Sequence, residues 1–400
     1  MEKSELNFGD TELAFDAKSD KELRRTYWLF RLMEPFSNNS FATVGAFAAK
    51  ILITLRLRLP LRIMFNHFCG GRTIEECRMT ISKLAEARVK TTLDYCIESL
   101  ENESELDDTS SEIIRNVQEA ANDSRIPFCV FKVTSLGRSA LLQKVSAKLP
   151  LLEQEEAEYR RVKERIDAIC KSAFDSGVRV LIDAEESWLQ NAIDDLASRM
   201  METYNKEKAV VFNTFQMYRK DKADSLRQSY EQAEAASYFL GVKLVRGAYL
   251  EGERKRAAKM GYPSPVHETK ADTDKSYDWA LDFCIEKRDK IALYIGTHNY
   301  TSVQLLVNLL EKEGIPGDTS SVYFSQLFGM GDNITFALAR EGYNVAKFVP
   351  YGKLEMALPY LLRRARENSA VRGEVGRELK LIVKEMARRR ETKNNGSKVL

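Results

Sequence analysis

From about Arg88 onward the chain repeats one unit eight times: a short β-rich run, then a polar, charge-patterned helical stretch. Strands alternating with helices in this way build a parallel sheet with crossover helices, because parallel neighbours cannot be joined by a tight turn. The runs are Val89–Leu93, Phe128–Val133, Val178–Ile182, Ala209–Phe215, Val242–Arg246, Ile291–Gly296, Val322–Gln326 and Val345–Val349. They are nearly continuous in apolar or β-branched residues, the signature of strands covered on both faces. Eight units point to a closed (βα)8 barrel rather than an open doubly wound sheet, and no GxGxxG follows any strand. The stretches between, such as EQEEAEYRRVKERIDAICKSAF, read as helices with solvated outer faces. The α/β barrel is therefore placed at 88–372, after an N-terminal helical arm at 1–87. Residues 373–400 are read as a C-terminal helix and a basic tail, ARRRETKNNGSKVL, with no structure expected in the tail.

A formal net charge of +2 gives no whole-chain attraction for nucleic acid, and no nucleic-acid partner is expected. Cys69, Cys77, Cys96, Cys129, Cys170 and Cys284 form no CxxC and no cluster. They fit neither a metal site nor a disulfide framework and read as free thiols in a reducing compartment. The segment MEKSELNFGDTELAFDAKSD is acidic and has the texture of neither a signal nor a transit peptide, so a cytoplasmic location is expected. Phe41–Phe65 is strongly apolar, but Lys50, Arg56, Arg58 and Arg62 interrupt it, which rules out a spanning helix. It fits two readings equally: a helix packed on the barrel, or one lying peripherally on the inner face of an anionic membrane.

Reactive groups of a (βα)8 barrel sit at the C-terminal ends of the strands. Here those ends are polar: Asp94, Lys132, Asp183 with Glu185, Gln216, Arg246 with Tyr249, His298 with Asn299, Gln326 and Tyr351. A charge inside an apolar strand costs several kcal/mol unless it is paired or used. Lys132 therefore needs an anion, either a ligand carboxylate or Asp183, and a purely structural Lys–Asp pair is the plain alternative. KLVRGAY (Lys243–Tyr249) ends a strand with two cations and with Gly247, which lets backbone approach a flat ligand. GTHN (Gly296–Asn299) adds several donors and acceptors. Arg363 and Arg364, on the helix PYLLRRARE, offer two guanidinium forks suited to a carboxylate, with Glu367 one turn away to hold them. A surface basic pair is the alternative for these two.

In this order, LIDAEES, TFQMYRKD, KLVRGAYLEGERKRAAKMGY, THN, YFSQLFGMGD, VPYG and PYLLRRARENS resemble the flavin-dependent proline dehydrogenases over about Val89–Ser369. The likeness is closer to the stand-alone, mitochondrial type than to the bifunctional bacterial proteins. It implies a distorted (βα)8 TIM-like barrel holding non-covalent FAD, and oxidation of L-proline to Δ1-pyrroline-5-carboxylate with electrons passed to a quinone. It further implies docking to a pyrroline-5-carboxylate dehydrogenase as a partner interaction to look for. Carried over by position, Arg363, Arg364 and Lys132 bind the proline carboxylate, with Glu367 beside them. Tyr249, Leu327, Phe348 and Tyr360 wall the ring, and Asp183, Lys243 and Arg246 are the catalytic group. Ala184, Gln216, Val245, Arg246, Gly247, Ala248, Thr297, His298 and Asn299 contact FAD, with Thr273 and Asp274 toward its adenosine end.

Two positions depart from the family pattern. Bacterial relatives commonly place Arg at Lys243, as the cation near flavin N5, so the choice between Lys243 and Arg246 stays open. Many relatives have Tyr at Phe348, and hydroxyproline-preferring enzymes have Ser there; a bulky Phe favours proline. The other readings are a hydroxyproline dehydrogenase, a barrel aldolase using Lys132 as a Schiff-base lysine, and a non-catalytic sensor of proline or FAD.

Overall fold

Eight parallel strands close on themselves in sequence order: β1 Lys90–Tyr95, β2 Phe128–Lys132, β3 Arg179–Asp183, β4 Val211–Gln216, β5 Leu240–Val245, β6 Ile291–Gly296, β7 Val322–Leu327 and β8 Val345–Tyr351. The computed structural model describes residues 6–33, 58–97, 100–358, 360–361 and 374–396. Closure is made by β1 lying along β8, from Lys90 opposite Ala346 to Tyr95 opposite Tyr351. Each strand lies within two residues of its sequence-based position. The ends shift mainly toward the rim, where Tyr95, Asp183 and Gln216 extend the ladder although they are polar.

Helices wrap the barrel. Before it stand α1 (Thr11–Phe15), α2 (Asp20–Met33), α3 (Arg58–Phe68) and α4 (Ile74–Glu86). The crossovers are α5 (Glu103–Ala121), α6 (Ser139–Ser146), α7 (Glu153–Ser176), α8 (Ser187–Tyr204), α9 (Lys222–Ala235), α10 (Leu250–Met260), α11 (Lys270–Glu286), α12 (Tyr300–Lys312) and α13 (Asp332–Arg340). Some of their starts carry side-chain caps: Asn102 accepts from Ser104 N at 2.9 Å and Asn299 from Ser302 N at 3.1 Å. The long α7 ends on Gly177 in the left-handed region (φ 67°), which glycine adopts without strain.

Two apolar layers result. One lies between strands and helices; the other fills the barrel, where Phe128, Phe212 and Tyr323 pack with Tyr294 and Phe348 nearer the rim. At the opposite end the Arg179 guanidinium stacks on Phe128 and Tyr323, 5.4 and 5.6 Å from the ring centroids. These side chains thus fill the interior at that end. All six cysteines are buried and in no disulfide, and burial pushes the Cys129 thiol up to about 12.

A third cluster joins the arm to the C-terminus. Phe15, Leu23, Phe30, Phe65 and Phe68 pack with Tyr360, Leu361, Leu379 and Ile382. The basic tail differs from its sequence-based reading as far as Gly396, because α14 (Glu374–Gly396) continues into it; 397–400 lie outside the described residues. Arg388 pairs with Glu12 at 3.0 Å, and Arg389 with Asp20 at 2.9 Å and the Phe15 carbonyl at 2.8 Å. These partners lie more than 360 residues away, so no local pattern reveals them. Of Phe41–Phe65, residues 41–57 lie outside the described residues; the remainder enters α3, which buries Phe65. No helix among the described residues is long and apolar enough to cross a membrane.

Candidate active site

The strand ends enclose a cleft that is partly open to solvent. Sheet register sets its floor. Lys132 lies opposite Asp183, and Thr214 opposite Lys243, so side chains from β2, β3 and β5 reach one level. Asp183 Oδ1 accepts from Lys243 Nζ, and Asp183 Oδ2 lies 3.5 Å from Lys132 Nζ. Both lysines are buried, 4% and 8% exposed, so this shared carboxylate is what keeps two cations tolerable in the interior. Burial raises the Asp183 carboxyl, but Lys243 and then Lys132 outweigh it and hold the group below its ordinary range. The Lys243 ammonium also sits 4.9 Å from the Phe348 ring centroid and 5.9 Å from that of Tyr294.

Glu185 steadies this floor from behind. Buried, it accepts from Thr134 N (3.0 Å) and Thr134 Oγ1 (2.6 Å) in the turn that follows Lys132. Burial pushes its carboxyl up to about 7. The Glu185 carbonyl accepts from Gln216 Nε2 at 2.7 Å, and Gln216 Oε1 accepts from Ala248 N at 3.2 Å. One chain of bonds therefore links the ends of β2, β3, β4 and β5.

The RGAY turn lies flat on that network. Gly247 has φ 134°, and a Cβ there would come within 2.3 Å of the Tyr218 ring, so no other residue fits. Arg246 points to the flank rather than to Asp183. It donates to Asp274 (2.8 Å), Thr297 Oγ1 (2.8 Å) and Ser302 Oγ (2.9 Å) and stacks over Tyr277 at 4.3 Å. On the far wall His298 Nε2 accepts from Leu327 N at 3.3 Å, which places its proton on Nδ1.

Lys132, Asp183, Ala184, Gln216, Lys243, Val245–Tyr249, Thr297, His298, Asn299, Leu327, Phe348 and Tyr360 all line this one cleft. Thr273 and Asp274 do not. Thr273 is buried in α11 with its hydroxyl on the Thr269 carbonyl, and Asp274 is held between Arg246 and Lys270. Arg363, Arg364 and Glu367 lie outside the described residues. Further lining residues went unnoticed in the sequence: Thr214, Lys270, Tyr294, Ser325 and Met330. Tyr294 had a usable signal, a hydroxyl within the apolar run IALYIG, and its oxygen sits 3.0 Å from Thr92 Oγ1 and 2.7 Å from Ser325 Oγ. Lys270, at the start of a charge-rich helix, had none.

A family model described as proline dehydrogenase matches residues 77–377. The chain is 35% identical to the carbapenem antibiotics biosynthesis protein CarD of Pectobacterium carotovorum subsp. carotovorum over 80% of this chain and 83% of that protein. It is 32% identical to the mitochondrial proline dehydrogenase 2 of Arabidopsis thaliana over 84% and 79%. With human mitochondrial proline dehydrogenase 1 the identity is 40% over 60% and 41%. Among solved structures, proline utilization A of Bdellovibrio bacteriovorus inactivated by N-propargylglycine superposes with a TM-score of 0.72 at 21% identity. That likeness concerns the fold, covering 90% of this chain and 38% of the other. By the extent of the family match and by the shared length of its relatives, the chain belongs to the proline dehydrogenase family.

Proposed function

We propose that this protein is a flavoenzyme that oxidises L-proline to Δ1-pyrroline-5-carboxylate, with non-covalent FAD as hydride acceptor and a quinone as reoxidant. The observation that carries the reading is the Lys132–Asp183–Lys243 floor beneath an apolar wall in a member of this family. The residues present fit a flavin. Gln216, Arg246, Ala248, Thr297, His298 and Asn299 ring the cleft with donors and acceptors, around a Gly247 turn packed tightly on the Tyr218 ring. Bound FAD would supply the two-electron chemistry, which no side chain can.

The chain's own residues bind, orient and stabilise. Lys132, with Arg363 and Arg364, takes the proline carboxylate; Tyr249, Leu327, Phe348 and Tyr360 enclose the ring and exclude water. Lys243, held by Asp183, offers a buried positive charge where negative charge develops. Phe348 is a bulky residue of the cleft lining that would leave little room for a ring hydroxyl, so proline is the preferred substrate. The Schiff-base alternative is disfavoured because Lys132 is engaged in an ion pair with Asp183 rather than presented alone to the cleft.

The purified protein is expected to be yellow and to bleach anaerobically on adding proline. A yellow protein that proline leaves unbleached is a sensor, and a colourless one trapped by borohydride is an aldolase. Arg363→Met and Arg364→Met should each raise KM for proline roughly 30-fold or more, about 2 kcal/mol or more of lost charge-assisted bonding. Flavin affinity should stay nearly unchanged. Unaltered steady-state kinetics in both variants would remove the carboxylate clamp.

A further inference from the structure

Helix α14 reaches the wall of the cleft through two adjacent residues. Arg377 Nη1 donates to the His298 carbonyl at 3.2 Å, and its guanidinium stacks 4.5 Å from the Tyr300 ring centroid. Glu378, 7% exposed, accepts from Gly331 N at 2.6 Å. Gly331 is left-handed (φ 63°), and a Cβ there would lie 2.5 Å from His298 Nδ1. The peptide that Glu378 grips is thus pressed against the imidazole that lines the cleft.

Other elements hold the same loop. Lys347 of β8, 1% exposed, donates to the Met330 carbonyl at 2.5 Å and pairs with Asp332 at 2.8 Å; Lys18 of the arm meets Asp332 at 2.6 Å. In (βα)8 barrels the loops after strands 7 and 8, with a helix N-terminus, commonly bind an external phosphate. Here Gly331 N, at the start of α13, instead donates to the Glu378 side chain, and Asp332 in the first turn is taken up by Lys347 and Lys18.

Building on the flavin reading above, we infer that Arg377 and Glu378 are positioning residues. Docked through them, α14 fixes the His298–Met330 wall against which the cofactor binds. The contact has a pH sense. Burial, then Asp332, pushes the Glu378 carboxyl up to about 7. A carboxyl raised in the docked state contributes fully below its ordinary value near 4.5 and loses that contribution as pH rises through about 7. The groups facing it are Asp332, Lys347 and Lys18, with Tyr300 and His67 near the same cluster and Arg377 on its own helix. Burial pushes His67 down to about 4 and raises Tyr300, so neither titrates in that window.

The test uses the flavin-loaded full chain with Glu378→Leu, Arg377→Met, Glu378→Gln and the exposed α14 control Glu391→Ala. The readouts are the FAD dissociation constant and amide hydrogen exchange over 327–333. Expected are an FAD dissociation constant raised about tenfold, with faster exchange confined to that loop, in Glu378→Leu and Arg377→Met. The control should stay within about twofold. Wild-type FAD binding should weaken from about pH 6 to about pH 8, and Glu378→Gln should abolish that dependence while keeping the Gly331 bond. Exchange and affinity both unaltered in Arg377→Met overturn the inference, even if Glu378→Leu does not fold. So does a pH dependence that survives in Glu378→Gln. Flavin that binds but is not bleached by proline sinks the catalytic reading alone, since loop exchange and affinity still decide this one.

Discussion

Lys243→Met should slow reduction of the bound flavin by proline roughly 10²–10³-fold, the loss seen when one preorganised donor is removed from a site of developing charge. Methionine keeps the length and bulk of the side chain and removes only the ammonium. Lys243 lines the floor of the cleft, held by Asp183 and lying over the rings of Phe348 and Tyr294. Arg246→Met should behave differently. Its guanidinium is spent on Asp274, Thr297, Ser302 and the face of Tyr277, so its loss should mainly weaken flavin binding. Stopped-flow reduction rates and flavin titrations separate the two. A fast Lys243→Met and a slow Arg246→Met, each saturated with flavin, would reverse the assignment.

Asp183→Ala should cost roughly 3–5 kcal/mol of folding stability in denaturant titrations, because it leaves two lysines buried without their shared carboxylate. Asp183→Asn should cost less, since it retains an acceptor oxygen. The sign with pH follows from the depressed carboxyl. A group held below its ordinary value contributes fully above that value, here 3.8, and loses its contribution as pH falls through the lower folded value. The gap between wild type and Asp183→Asn should therefore be flat from about pH 5 to about pH 8 and close only in acid. A gap that changes across neutrality would mean that Asp183 is not ionised in the folded protein.

The barrel was legible because its strands are buried on both faces and must be apolar along their length, and the polar rim stood out against that background. Lys132 within FCVFK and Lys243 within LGVKLV announced themselves as charges where hydrophobic residues belong. Arg246 did not announce its direction. It follows Lys243 by three residues on the same strand end, yet one meets Asp183 on the cleft floor and the other points to α11 and α12. The tail was misread for a related reason, since Arg388 and Arg389 look like solvated charge until Glu12 and Asp20 are brought beside them.

What the sequence by itself determined is which segments are strands and which strand ends carry charge, since burial and backbone propensity are read from neighbours a few residues away. Which charge meets which was decided only by the tertiary structure. Asp183 could have served either lysine or both, and Glu378 could have faced water. Closing the barrel and folding α14 back onto the arm and the loop after β7 chose their partners, because polar contacts depend on separation in space, and residues 47 apart such as Gly331 and Glu378 have none specified until the chain is packed.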